Sequence, residues 1–256
     1  MDNLNKKFKE KIYILESFSP TGEKEFLKEA QDLMIFLINE KIEYEFFKFT
    51  SEEDLRGVLA KAGNDLYKEQ ELKKLQYLPY LHFICHGSED GIVATNQTGR
   101  QNLITWKILN DILFGFSYNA DKFGKEPLST VLKRDLNLNK LDEYGEESKK
   151  IFDGMFKSFT YCLTYLVLTS CKGGALGAKG CESIVNFSFI IGSQNITYSN
   201  ETSSAFQEFY KSFNEDKTFF ETLYCMNDFI KEGSIEIFIS PEMKNAFELI
   251  NNKKNP

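Results

Sequence analysis

The chain is poor in the residues that staple, kink or ligate. Its five cysteines are an odd number with no Cys-x-x-Cys pair, which excludes a disulfide framework as the source of stability and points to a reducing compartment. Five prolines and 16 glycines are too few for a collagen-like or proline-rich extended chain. There are two histidines, His82 and His86, so any histidine chemistry comes from one short stretch. The longest apolar run, about Tyr161 to Leu168, falls far short of the roughly 18 residues that a membrane span needs. Near the amino end only Ile12 to Leu15 follows the charged start, too brief for a signal-peptide core, so the expected location is the cytoplasm, with no membrane partner. Positive charge is also in deficit: 31 Lys and Arg against 38 Asp and Glu give a net charge of −7, which argues against direct nucleic-acid binding through a basic face.

What is present is an ordinary globular balance, 42% hydrophobic and 27% charged over 256 residues, enough to bury a core without staples. Phe and Tyr number 24 and 12, so the core is expected to be aromatic. Lys11 to Ser17 reads as a strand that leaves into the turn Ser19-Pro20-Thr21-Gly22. Phe26, Ala30, Leu33, Met34 and Leu37 share one face at helical period, which predicts a helix over about 23–41. Ile42 to Phe49 reads as a second strand, and Ser51-Glu52-Glu53-Asp54 has capping-box form ahead of a second helix. This alternation predicts a mainly parallel, doubly wound sheet.

Tyr77 to His86 is nearly all apolar and ends at Gly87, as a strand covered on both faces would, with Pro79 near its start where it costs least. Gly91 to Ala94 reads as a short return strand and Leu103 to Leu113 as a helix. From about 114 to 155 the chain turns polar and irregular, which reads as an insertion within one continuous domain. Cys162 to Ser170 is the second buried-strand candidate, and Phe187 to Gln194 a third strand beyond it. Phe206, Phe209, Tyr210 and Phe213 mark one helix; Phe219, Leu223, Met226 and Ile230 mark the next. Ser234 to Ser240 closes the sheet, and Pro241 opens a final helix from its first position.

In open α/β sheets, ligands and catalytic groups collect at the carboxyl ends of strands. Two strands end there in reactive side chains, His86 and Cys171. If these strands are neighbours, an imidazole and a thiol share one rim, and a histidine that takes the thiol proton makes a strong nucleophile. Gly87 and Gly173-Gly174 would let a substrate backbone approach. The main-chain N–H groups of Gly87 and Cys171 would then form an oxyanion hole. The plain alternative is packing, because a cysteine that closes a strand is more often buried than reactive.

The stretch His82-Phe83-Ile84-Cys85-His86-Gly87-Ser88, followed by Gly91-Ile92-Val93, resembles the apolar strand, His-Gly and Gly-hydrophobic return of clan CD cysteine peptidases, in particular the CHAT branch of the caspase-like group. Leu166-Val167-Leu168-Thr169-Ser170-Cys171-Lys172-Gly173-Gly174 is similar to that group's second strand with its nucleophilic cysteine. Phe189 to Gln194 and then Ser203 to Phe213 resemble the strand and the Phe-Tyr helix that follow. The resemblance spans about 80–220. It implies a three-layer α/β/α caspase-like fold with a mainly parallel twisted sheet, in one domain over 1–256. It also implies Cys171 as nucleophile and His86 as general acid/base, with Gly87 and Cys171 as oxyanion donors and with neither cofactor nor metal. The implied partners are a protein substrate and a separate activator, in a bacterial defence or cell-death pathway.

The chain departs from the caspase pattern in its Ser-Cys-Lys-Gly-Gly and in the 85 positions between His86 and Cys171, where caspases have about 50. The sequence offers no evident arginine pocket for aspartate, so the preferred residue before the cut stays open. An extended substrate is expected beside a strand edge at Ser193 to Ile196, through Ser193, Gln194 and Asn195, with Glu89, Asp90 and Glu182 as cation partners or as plain solvated charges. The insertion is a candidate docking or activation surface, or simply a surface loop.

Other readings use the same residues. Adjacent Cys85 and His86 point to opposite sheet faces, which argues against a zinc site that joins them to Cys171. Gly173 to Gly180 follows a strand as phosphate loops do, but Lys179 is followed by Gly180 where a Walker A loop has Ser or Thr, so a nucleotide-binding domain is the weaker alternative. A catalytically inactive scaffold of the same fold is the other.

Overall fold

The structure is a computed structural model that describes residues 8–18, 24–120, 164–169, 189–193, 199–215, 219–231 and 233–239. The strands are β1 (Phe8–Ser17), β2 (Tyr44–Lys48), β3 (Gln76–Ser88), β4 (Gly91–Thr95), β5 (Gln101–Thr105), β6 (Tyr165–Leu168), β7 (Phe189–Ser193) and β8 (Ile235–Ile239). The helices are α1 (Lys24–Asn39), α2 (Glu52–Lys73), α3 (Trp106–Ala120), α4 (Ser199–Lys211) and α5 (Phe219–Asn227). Strand order is β2-β1-β3-β6-β7-β8; β1 to β3, β6 and β7 pair in parallel, and β8 runs antiparallel to β7. The hairpin β4-β5 extends antiparallel from the end of β3.

Alternation along β3 sends its side chains into two separate cores. Leu78, Tyr80 and Ile84 join Ile12, Ile14, Tyr165 and Val167 against Ala30, Leu33 and Leu37 of α1, Phe206, Phe209 and Tyr210 of α4, and Met226 of α5. Tyr77, Leu81, Phe83 and Cys85 join Tyr13, Leu15, Leu166 and Leu168 against α2 and α3. A sheet apolar on both faces must be covered on both, and the result is a three-layer α/β/α arrangement with a mainly parallel sheet. Tyr80 and Tyr165, level in the register, stack at 4.4 Å between centroids.

Local chemistry sets the element ends. Ser51 accepts from the Asp54 N–H (3.1 Å) while the Asp54 carboxylate accepts from the Thr50 N–H (2.9 Å), a reciprocal cap that starts α2 as expected. Pro79 is level with Lys11 of β1, but by alternation from Phe83 its nitrogen faces the β6 side, where pairing begins only at Tyr80, so it costs no ladder bond. At the amino end of the sheet, Lys11 is buried between Glu45 (2.7 Å) and Glu69, and lies over the rings of Tyr13 and Tyr77.

Two expectations change. Leu103 to Thr105 belongs to β5, and the helix begins at Trp106, where Thr105 accepts from the Ile108 N–H (3.4 Å) as its cap. The turn that makes the hairpin is built by Asn96, whose side chain accepts from the N–H groups of Thr98 and Arg100, and by Gly99 at φ 81°. The polar insertion does not begin at 114, because α3 runs on to Ala120 with Phe116 buried. The rest of that insertion lies outside the described residues, as do Cys162, Ser170 and the helix expected from Pro241.

A Cβ on Gly91 would stand 2.1 Å from the Ile104 carbonyl oxygen, in the backbone of the facing strand. Gly91→Ala is therefore expected to lower stability by about 3 kcal/mol in urea unfolding. Gly57→Ala, in the open middle of α2, is expected to raise it by about 1 kcal/mol.

Candidate active site

The carboxyl end of β3 is where the sheet changes partner. β1 stays paired as far as Ser17, level with Cys85; from His86 onward β4 takes its place, with His86 level with Val93 and Gly87 with Ile92. The exchange is pinned by the Ser17 hydroxyl, which accepts from the Thr95 N–H at 2.8 Å. His86 is half-buried, and its ring meets Phe18 edge-on at 5.3 Å on the α1 and α4 side of the sheet. Cys85 is buried in the opposite core, so the two cannot ligate one ion.

β6 enters on the other side of β3. Tyr80 to Phe83 are level with Tyr165 to Leu168, and the ladder is carried one residue further by Thr169, whose N–H and hydroxyl both donate to the Phe83 carbonyl (3.2 and 2.9 Å). Backbone groups alternate in direction along a strand, so Gly87, four residues beyond Phe83, turns its N–H toward the β6 side. The side chains of Tyr165 and Val167 lie in the α1 and α4 core, as does the hydroxyl of Thr169, which reaches Glu29 of α1.

A histidine and a glutamate are buried on this same face. His82 places Nδ1 2.8 Å from the Tyr210 hydroxyl and packs on the ring of Phe206, 5.1 Å away. Burial pushes its pKa down to about 3, so the ring is neutral, and its Nε2 has no hydrogen-bond partner among the described residues. Glu29 accepts from the Thr202 hydroxyl at 3.0 Å, and burial lifts its carboxyl to about 8.

Of the residues read from sequence, the structure brings His86 and Gly87 to the rim beside the course of β6. Glu89 and Asp90 form the tip of the β3-β4 turn, with exposed side chains and their carbonyls held by Trp106 Nε1 (2.8 Å) and Trp106 N–H (3.0 Å). Ser193 differs from expectation. It is buried at the end of β7, level with Ile235 of β8, and β7 lies between β6 and β8, so no open edge receives a substrate strand there. The strand Ser234 to Ser240 was legible, but its place beside β7 was not, since periodicity carries no partner. Cys171, Gln194, Asn195, Glu182, Cys181 and the run from Gly173 to Gly180 lie outside the described residues. Neither Cys85 nor Cys225 is in a disulfide. Among the described residues no helix is long and apolar enough to cross a membrane.

Sequence reasoning passed over Phe18, Thr169 and Glu29. The last carried a signal, since a glutamate at 29 falls inside the apolar stripe of α1 between Phe26 and Ala30.

No protein-family model and no curated protein matches the sequence. Among solved structures, the chain is similar to the crystal structure of drICE, at 11% sequence identity and a TM-score of 0.48, over 93% of this chain and 90% of that one.

The neutral His82 sets an acid limit. Its pKa is near 6.5 when unfolded and about 3 in the fold, so its contribution is intact above about pH 6.5 and is lost as the pH falls toward 3. Urea unfolding is expected to show a stability loss of about 4 kcal/mol across that interval. His82→Gln, which keeps a hydrogen bond to Tyr210 but does not titrate, is expected to flatten it.

Proposed function

We propose that the chain is a caspase-like cysteine endopeptidase of the CHAT type, with Cys171 as nucleophile and His86 as general acid/base. The observation that carries the reading is a register. Tyr80 of β3 is level with Tyr165 of β6, an offset of 85, and 85 positions also separate His86 from Cys171. Continuation of the same ladder past Thr169 would bring Cys171 level with His86. The alternation that puts Tyr165, Val167 and Thr169 toward α1 and α4 would put Cys171 on the face where His86 stands. Two residues of chain span at most about 7 Å, which limits how far Cys171 could stand from the strand end that Thr169 closes.

In this reading the His86 imidazole takes the Cys171 thiol proton, and the thiolate sulfur attacks the carbonyl carbon of the scissile peptide bond. Charge develops on the carbonyl oxygen, where the N–H groups of Gly87 and Cys171 would receive it; the direction of the Gly87 N–H, toward β6, supports that role. Collapse of the tetrahedral species breaks the C–N bond as His86 returns its proton to the leaving amine. Water, deprotonated by His86, then hydrolyses the thioester and restores the thiol. The substrate is a dedicated partner protein. Its extended segment docks through Gln194, Asn195, Glu89 and Asp90, without strand addition at Ser193.

Regulation in this reading comes from outside the domain, by a separate activator that docks on the segment from 121 to 155, in the cytoplasm of a bacterium and in a defence or cell-death pathway. What supports this is the resemblance of the two strand-end motifs.

Peptidyl acyloxymethyl ketones of varied terminal residue, read by mass spectrometry, test the proposal. The expected result is a single adduct on Cys171, absent from Cys171→Ala and formed roughly 100-fold more slowly by His86→Ala. Labelling spread over all five cysteines and indifferent to His86 would overturn the reading in favour of an inactive scaffold.

A further inference from the structure

Glu29 is a buried carboxyl group with no cation partner among the described residues. Its partners are two hydroxyls: Thr202 of α4 donates to Oε1 at 3.0 Å, and Thr169 at the end of β6 is the second. A hydroxyl has one hydrogen to donate, and that of Thr169 points at the Phe83 carbonyl, 2.9 Å away. Burial keeps the Glu29 carboxyl protonated at neutral pH, and with Thr202 donating to Oε1 the acid hydrogen is directed to the Thr169 oxygen. The result is a directed chain, Thr202 to Glu29 to Thr169 to Phe83, that joins α4, α1, the end of β6 and β3 through three hydrogen bonds, the last to a main-chain carbonyl.

The charged groups around it are engaged elsewhere. Glu201 of α4 faces Lys231 at 3.6 Å, and Glu16 of β1 faces Lys48 at 2.9 Å. His82 of β3 is neutral on Tyr210, while His86 lies further along the strand against Phe18. On α1 itself Lys28 is exposed and Asp32 half-exposed, and β6 brings no ionisable side chain among the described residues other than Tyr165, which stacks on Tyr80.

We propose that Glu29 is a positioning residue that, as a neutral acid, ties the carboxyl end of β6 to β3, and that its ionisation releases the tie. The consequence for Cys171, two residues beyond Thr169, rests on the peptidase reading. The burial that raises this carboxyl to about 8 puts the release just above neutral pH. The pKa is raised from about 4.5, so the stabilisation is fully present below about pH 4.5 and is lost as the pH rises through about 8.

Glu29→Gln is the discriminating variant, because its amide donates to Thr169, accepts from Thr202 and does not titrate. Urea unfolding between about pH 6 and pH 9 is expected to show wild type losing stability with rising pH beyond what Glu29→Gln loses, with Glu29→Ala low throughout. Infrared difference spectra of wild type against Glu29→Gln at neutral pH should contain one carboxylic-acid C=O band that fades through about pH 8. A Glu29→Gln protein with the same pH dependence as wild type, or the absence of that band, overturns the proposal.

The site is read separately, as the rate of Cys171 labelling by the peptidyl acyloxymethyl ketone per folded molecule. At about pH 9 wild type should fall roughly tenfold below Glu29→Gln, in proportion to its neutral fraction, while the two agree at about pH 6. Labelling that requires His86 but ignores both Glu29 variants leaves the peptidase standing and overturns the positioning role. A titrating acid band with no Cys171 labelling in any variant overturns the peptidase reading, and the positioning role with it.

Discussion

Four residues of parallel ladder, Tyr80 to Phe83 against Tyr165 to Leu168, decide where everything else in this molecule sits. Each strand is apolar on both faces, so neither is stable until helices cover both sides, and the two cores that result hold the register by interdigitation. A slip of one residue would send Tyr165 and Val167 into the core of α2 and α3 and expel Leu166 and Leu168 from it. The stack of Tyr80 on Tyr165 penalises that slip further. Register, fixed by packing far from the rim, sets which residues meet at the rim.

The two faces of the sheet are chemically unlike. Toward α2 and α3 the core is mostly hydrocarbon and aromatic ring, and its polar groups are the Gln70 amide on the Tyr77 N–H and the Ala120 carbonyl, the Ser117 and Thr164 hydroxyls, and Lys11 between its two glutamates at the amino end. Toward α1 and α4 it contains His82, Tyr210, Glu29, Thr169 and Thr202, all of which stay neutral by burial or share protons along hydrogen bonds. Such groups weaken a core relative to hydrocarbon unless their partners are satisfied, and the unpartnered Nε2 of His82 marks the one ring nitrogen of that histidine the described residues do not satisfy. The polar face is also the one that carries His86. Catalytic function would demand polarity on that side, and the pH sensitivity of the fold follows from it.

The sequence made the main architecture legible because the signals were local. The apolar run into His86-Gly87 was a buried strand, the stripe Ala30, Leu33 and Leu37 was the inner face of α1, and Ser51 was a cap. The failures were failures of non-local information. Leu103 and Ile104 fit a helical period as well as a strand, and only the turn chemistry of Asn96 and Gly99 would have separated the two. Ser193 looked like an edge because nothing in its own segment reveals that β8 lies alongside. Glu29 and Thr202 stand 173 positions apart, a contact that no window of sequence contains. His86 and Gly87 were read correctly as strand-end residues, since a strand end is a local property; their neighbours across the rim were legible only through the order of the strands.

If the β3 and β6 register continues past Thr169, as the peptidase reading requires, positions 86 and 171 stand side by side on one face. Oxidation of His86→Cys under mild conditions tests this without substrate or activator, because a disulfide forms only when the Cα atoms lie within about 7 Å with converging Cβ vectors. Rapid formation of a disulfide between positions 86 and 171 in the folded protein is the expected result, with none when Cys171 is replaced by alanine. A folded variant in which position 86 stays reduced, or pairs with another cysteine, would contradict it.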